Sequence, residues 1–297
     1  MRPSIFTSLF TLFLLLTLSG CEMLPRQPEP IKPVVTRTAP KIALVLGGGG
    51  TRGFAHIGVI KALEAQGIVP DIIVGTSAGS VVGSLYAYGY NGFELQKVAI
   101  QMEEQSVIDW AWPSRGVFKG EALQSFINTS VKNTPIEKLK RQFAAVATDL
   151  SNGEIAVFRT GNTGQAVRAS SAVPGIFQPV TIAGKNYVDG GLVRPVPVSV
   201  ARSLGADFVI AVDISNKPKN NTTASTIDVL MQTFDIMSQT INRYELPKAD
   251  IAIRPRTQDI DVSSLDGRHI AVLEGEKAAT AMMPELKAKL AQLGYAR

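Results

Sequence analysis

From Lys41 onward the chain alternates between two hydrophobic rhythms. "KIALVL" (41–46) is an unbroken apolar run, the pattern of a strand buried on both faces. After "GGGGTRG" (47–53), Phe54, Ile57, Ile60 and Leu63 recur at helical spacing, and Gly67 suits the helix C-cap. "DIIVG" (71–75) reads as a second buried strand, and "SAGSVVGSLYAYG" (77–89) as a helix of small, closely packing residues. Further strands are predicted at 142–150, 154–158 and 207–214, with "VTIAGKNYVDGG" (180–191) a hairpin turning at Gly184. Helices are predicted at 120–131, 163–171, 197–204, 225–246 and 272–293. Strands alternating with helices predict a three-layer α/β/α architecture around a mostly parallel sheet. Ligands bind such sheets at the carboxyl ends of the strands, and both glycine-rich turns fall there.

The first forty residues follow another pattern. Arg2 precedes an apolar stretch, Ile5–Leu18, broken only by Thr and Ser. At 1.5 Å per residue it is too short for a bilayer core of about 30 Å, so residues 1–20 read as a signal peptide. Leu18-Ser19-Gly20-Cys21 resembles a bacterial lipobox, which implies lipidation of Cys21, the sole cysteine of the chain. A lipid-consumed cysteine fits an exported protein without disulfides. Glu22 stands where inner-membrane lipoproteins commonly carry Asp, so the resemblance points to the outer membrane, facing the periplasm. Residues 22–40 hold five prolines and no hydrophobic period. They are expected to form an extended tether reaching on the order of 60 Å. The folded part is divided into a main domain, 41–213, and a C-terminal extension of the same domain, 214–297.

A hydrophobic content of 45% over 297 residues suits one domain of ordinary core size. The formal charge of +5 is spread without a basic run, which argues against nucleic acid and leaves a mild attraction to anionic lipid. No cluster of His, Asp and Glu has ligand spacing, so no metal or other cofactor is expected.

The chemistry concentrates in the two glycine turns. Gly48, Gly50 and Gly53 satisfy G-x-G-x-x-G between strand and helix, but the acidic residue that would hold a ribose is missing after the second strand, as is a P-loop Lys-Ser/Thr. A nucleotide is therefore not expected. The same loop can crowd backbone N–H groups at a helix N-terminus and form an oxyanion hole. Gly75-Thr76-Ser77-Ala78-Gly79 is a G-x-S-x-G nucleophile elbow, with Gly75 and Gly79 permitting the sharp turn. A serine needs a base. His269 would complete a triad in the order Ser77, Asp189, His269, but it lies in a polar stretch beside Arg268 that reads as solvated surface. His56, in the first turn of the helix after the loop, reads as a packing residue. Asp189, at the end of the apolar run "NYVD", is the alternative: an aspartate acting directly on Ser77, its basicity raised by partial burial.

"GGGGTRG", "GTSAG" and "DGG" in this order resemble the patatin-like phospholipases, bacterial members related to neuropathy target esterase in particular. The resemblance extends to "AHIGVIKALE", "VATDLSNGE" and "RASSAVPGIFQPV" and covers roughly residues 41–213. It implies a patatin-like fold and a serine acyl hydrolase cleaving fatty-acyl esters of membrane lipids. It implies Ser77 as nucleophile and Asp189 as base. It also implies Gly48, Gly49, Gly50, Thr51, Arg52 and Gly53 as the oxyanion loop, with the N–H groups of Gly49, Gly50 and Thr51 as its donors and Arg52 as its basic residue. A lipid-binding or scaffold lipoprotein with a vestigial site is the alternative from another class. Near 92–120, Trp110 and Trp112 suggest either a lipid-entry rim or ordinary core. In 226–246, Ile227, Leu230, Phe234, Met237 and Ile241 form a stripe read as core rather than dimer seam. Oligomeric state is not legible.

Overall fold

The computed structural model describes residues 40–102, 118–216, 218, 225–260 and 265–295. The signal segment, Cys21, all of the tether but Pro40, and both tryptophans lie outside the described residues.

Among the described residues, eight strands make one sheet: β1 (Ile42–Leu46), β2 (Ile72–Thr76), β3 (Gln142–Asp149), β4 (Ile155–Phe158), β5 (Val180–Ile182), β6 (Lys185–Asp189), β7 (Phe208–Val212) and β8 (Ile251–Ile253). Strands β3-β2-β1-β7-β8 run parallel, β6 and β4 pair antiparallel with β3, and β5 forms the hairpin with β6. Helices that accompany it among the described residues are α1 (Phe54–Glu64), α2 (Ala78–Tyr88), α3 (Gly92–Gln101), α4 (Glu121–Ser130), α5 (Thr163–Ser170), α6 (Val198–Ser203), α7 (Thr226–Glu245) and α8 (Arg268–Gln292). The expected strands all appear. β8 is additional: three residues are too few to register as a period. α8 begins four residues before the predicted start.

The period-2 alternation of each strand sorts its side chains into two cores. Ile42, Leu44 and Leu46 of β1 face the larger core with α1, α2 and α8, while Ala43 and Val45 face the smaller one under α6. Helix–sheet–helix layering follows directly. Within the larger core, α1 and α8 approach so closely that a Cβ on Gly58 would strike the Val272 carbonyl, and one on Gly275 the Ala55 carbonyl. Gly275→Val is expected to cost about 3 kcal/mol through overpacking. That corresponds to a Tm lowered on the order of 10 °C, read by calorimetry. An unchanged Tm would mean that the two helices do not meet there.

Candidate active site

The site is built by strand register. β2 and β4 both pair with Ala145 and Val146 of β3, so they occupy its opposite edges. β4 and β6 both pair with Ala147 and Thr148, so they too lie on opposite edges. β2 and β6 therefore share one edge of β3 and approach each other head to head. β2 ends with Thr76 opposite Val146, and β6 ends with Asp189 opposite Ala147. Residues far apart in sequence thus leave their strands at adjacent rungs.

At the end of β2 the backbone turns at Ser77, which adopts φ 53 and ψ −125. A non-glycine residue held there stores strain on the order of 1–3 kcal/mol. The strain sits on the serine itself. Gly75 and Gly79 keep negative φ and are required for another reason. A Cβ at Gly75 would run into the backbone of Gly79, and one at Gly79 into the Leu46 carbonyl. The Ser77 carbonyl starts α2 by accepting from the Ser80 N–H at 2.8 Å and the Ser80 hydroxyl at 2.7 Å.

Asp189 is 3% exposed. Its Oδ1 accepts from the Gly191 N–H at 2.7 Å, while Oδ2 is buried with no complete hydrogen bond. Burial pushes its pKa up to about 6, against the Ser77 hydroxyl and the Gly191 N–H, which pull it down. The Ser77 hydroxyl therefore lies near enough to the carboxyl to lower its proton affinity, without a complete hydrogen bond to Oδ2. The arrangement offers a hydroxyl beside a carboxylate whose proton affinity is raised toward neutrality.

The glycine loop faces them across the end of β1. The Gly47 N–H donates to the Val212 carbonyl and the Gly48 N–H to the Pro195 carbonyl, each at 3.0 Å. Gly48 is thus committed to the scaffold and shapes the loop without being one of the donors expected from the resemblance. Among the described residues, the N–H groups of Gly49 and Gly50 make no such backbone bonds, at the start of a short 3-10 turn, Gly50–Gly53. Gly53 packs against Ala78, where a Cβ would come within 2.7 Å of the Ala78 Cβ. Arg52 is 5% exposed, and its Nε donates to the Gly49 carbonyl at 3.0 Å. Burial lowers its pKa, while Asp235 and Asp213 raise it. Its charge therefore faces two carboxylates, and its guanidinium braces the loop through the Gly49 carbonyl.

Neither histidine joins the site. His56 is fully buried and its Nε2 donates to the Gly47 carbonyl at 2.8 Å. Burial drops its pKa to about 4, so the ring is neutral at pH 7. It props the loop. His269 lies exposed in the first turn of α8 and does not line the cleft. Among the described residues no cluster of His, Cys, Asp and Glu has the makings of a metal site.

Ser77, Asp189, Gly48, Gly49, Gly50 and Arg52 line one cleft of about 90 Å³. Its far wall is α7, through Met231, Phe234, Asp235 and Ser238. Phe234, read from the sequence as part of a core stripe, is a cleft residue. No contribution from residues 214–297 was legible, because no motif marks α7. Its amphipathic period alone does not say what its inner face covers.

A family model described as patatin-like phospholipase matches residues 44–202. Human patatin-like phospholipase domain-containing protein 6 is 35% identical over 192 residues, covering 62% of this chain and 14% of that protein. An uncharacterized NTE family protein of Mycobacterium tuberculosis is 36% identical over 181 residues, covering 60% of this chain and 50% of that protein. The chain thus spans half or less of the length of these relatives. The crystal structure of VipD from Legionella pneumophila superposes with a TM-score of 0.57 at 13% identity, covering 84% of this chain and 67% of that one, a likeness of fold. With more than half of its length matched by the family model, the chain belongs to the patatin-like phospholipase family.

Proposed function

We propose that this protein is a serine acyl hydrolase that cleaves fatty-acyl esters of membrane lipids through a Ser77–Asp189 dyad. The observation that carries the reading is the meeting of a strained serine and a buried, raised-pKa aspartate in one cleft that no histidine lines. Asp189 takes the proton of Ser77 as Oγ attacks the ester carbonyl. The N–H groups of Gly49 and Gly50 receive the oxyanion, a contribution worth about 3 kcal/mol of barrier per donor. The carboxylic acid so formed on Asp189 returns its proton to the departing alcohol, which leaves an acyl-enzyme on Ser77. Water, deprotonated by the same carboxylate, attacks the acyl carbonyl; the bond to Ser77 Oγ breaks, Asp189 returns the proton to that oxygen, and the fatty acid departs.

Lipidation of Cys21 and the proline-rich tether would hold the domain at the cell envelope, within reach of phospholipid or lysophospholipid. The proposed location is the periplasmic face of the outer membrane. Family membership supports the lipid ester class.

The test uses the full-length protein in detergent, with p-nitrophenyl esters, diacyl phospholipid and lysophospholipid as substrates and a fluorophosphonate probe for the serine. Release of fatty acid together with covalent labelling at Ser77 is expected. Absence of both would favour a lipid-binding protein with a vestigial site.

A further inference from the structure

Two residues at and just beyond the end of α5, Ser170 and Ala172, hold the backbones of Ser77 and Asp189 respectively. Ser170 is fully buried, and its hydroxyl is inserted between two backbone groups. It accepts from the Ser77 N–H at 3.0 Å and donates to the Val146 carbonyl at 2.6 Å. Two residues on, the Ala172 carbonyl accepts from the Asp189 N–H at 3.0 Å.

The need for a hydroxyl follows from the register. Thr76 is the last residue of β2 paired with β3, opposite Val146, and the turn at Ser77 carries its N–H out of the ladder. Only an atom that accepts and donates at once joins that N–H to the Val146 carbonyl. From the other side, a Cβ on Gly190 would run into the same carbonyl, so the junction between the ends of β2 and β6 is filled.

We propose that Ser170 is a positioning residue: its hydroxyl, together with the Ala172 carbonyl, clamps Ser77 and Asp189 at the separation that lets one activate the other. The proposal rests on the dyad reading above. Removing the hydroxyl leaves the cleft walls in place and frees the elbow to shift. A misplacement of the nucleophile of that kind lowers the chemical step and leaves ground-state binding alone.

The experiment compares the wild-type full-length protein with Ser170→Ala and with Ser171→Ala, the latter removing a buried hydroxyl that has no hydrogen-bond partner. Each is assayed well below its own Tm. For Ser170→Ala, kcat is expected to fall about 10- to 100-fold with KM within twofold, and the rate of fluorophosphonate labelling to fall in parallel. Ser171→Ala is expected to match wild type. If Ser170→Ala does not fold, Ser170→Cys, close in shape with a weak donor, is expected to show a drop of about tenfold. Wild-type kcat and labelling in whichever Ser170 variant folds would overturn the clamp, whatever happens to Tm. A wild-type protein inert toward both ester and probe would instead overturn the dyad reading, and the clamp with it.

Discussion

Ser77→Ala is expected to lower kcat by at least about 10³-fold and to abolish fluorophosphonate labelling, with Tm nearly unchanged. The methyl group still sits at φ 53, so the backbone strain remains and only the nucleophile is lost. Ser77→Gly separates chemistry from strain. Glycine adopts that conformation freely. It should be just as inactive, yet more stable by about 1 kcal/mol once its greater entropy in the unfolded chain is subtracted. For a domain of this size that is a Tm higher by a few degrees. Inactive and stabilised is the signature of strain held for function. Retained turnover in Ser77→Ala would remove the serine mechanism altogether. A Ser77→Gly variant no more stable than Ser77→Ala would mean that the elbow stores no strain.

The strands and both turns were readable because their signals are local. "KIALVL" and "DIIVG" are apolar on both faces, and the glycines after them mark where chain must pass close to chain. Motif order, too, put Ser77 and Asp189 forward. What no local pattern contains is that β2 and β6 share one edge of β3, a property of register between distant segments. For the same reason the bond that commits the Gly48 N–H to the Pro195 carbonyl was not visible. "RASSAVPG" was conspicuous as a resemblance but mute about its task, since a serine hydroxyl bonded to two backbone groups leaves no periodicity. Asp235 of α7 beside the buried Arg52 was hidden similarly: neighbours in space across a chain crossing carry no shared spacing.

Asp189→Asn is expected to reduce kcat by about 10²- to 10⁴-fold, the range for loss of a general base, and to stabilise the fold. The amide is nearly isosteric, and its carbonyl oxygen can still accept from the Gly191 N–H. What disappears is a carboxylate that burial disfavours. An unfolded Asp titrates near 3.8 and this one at about 6 in the folded protein. Between those values the native state binds more protons than the unfolded chain, so stability falls as pH rises through that window. Above it the cost is constant, on the order of 3 kcal/mol for a shift of about two units. Well below 3.8, near pH 3, both states are protonated and the cost is gone. The Asn variant does not titrate there. Its advantage in Tm over wild type should therefore be present at pH 8, shrink as pH falls through about 6, and vanish near pH 3. Wild-type kcat/KM should in turn fall about tenfold per pH unit below a midpoint of about 6, as the base is protonated. His269→Ala, with its ring exposed outside the cleft, should keep both the rate and the midpoint. Activity retained in Asp189→Asn but lost in His269→Ala would transfer the role of base to the imidazole. A Tm difference independent of pH would show that the carboxylate is not strained by its burial.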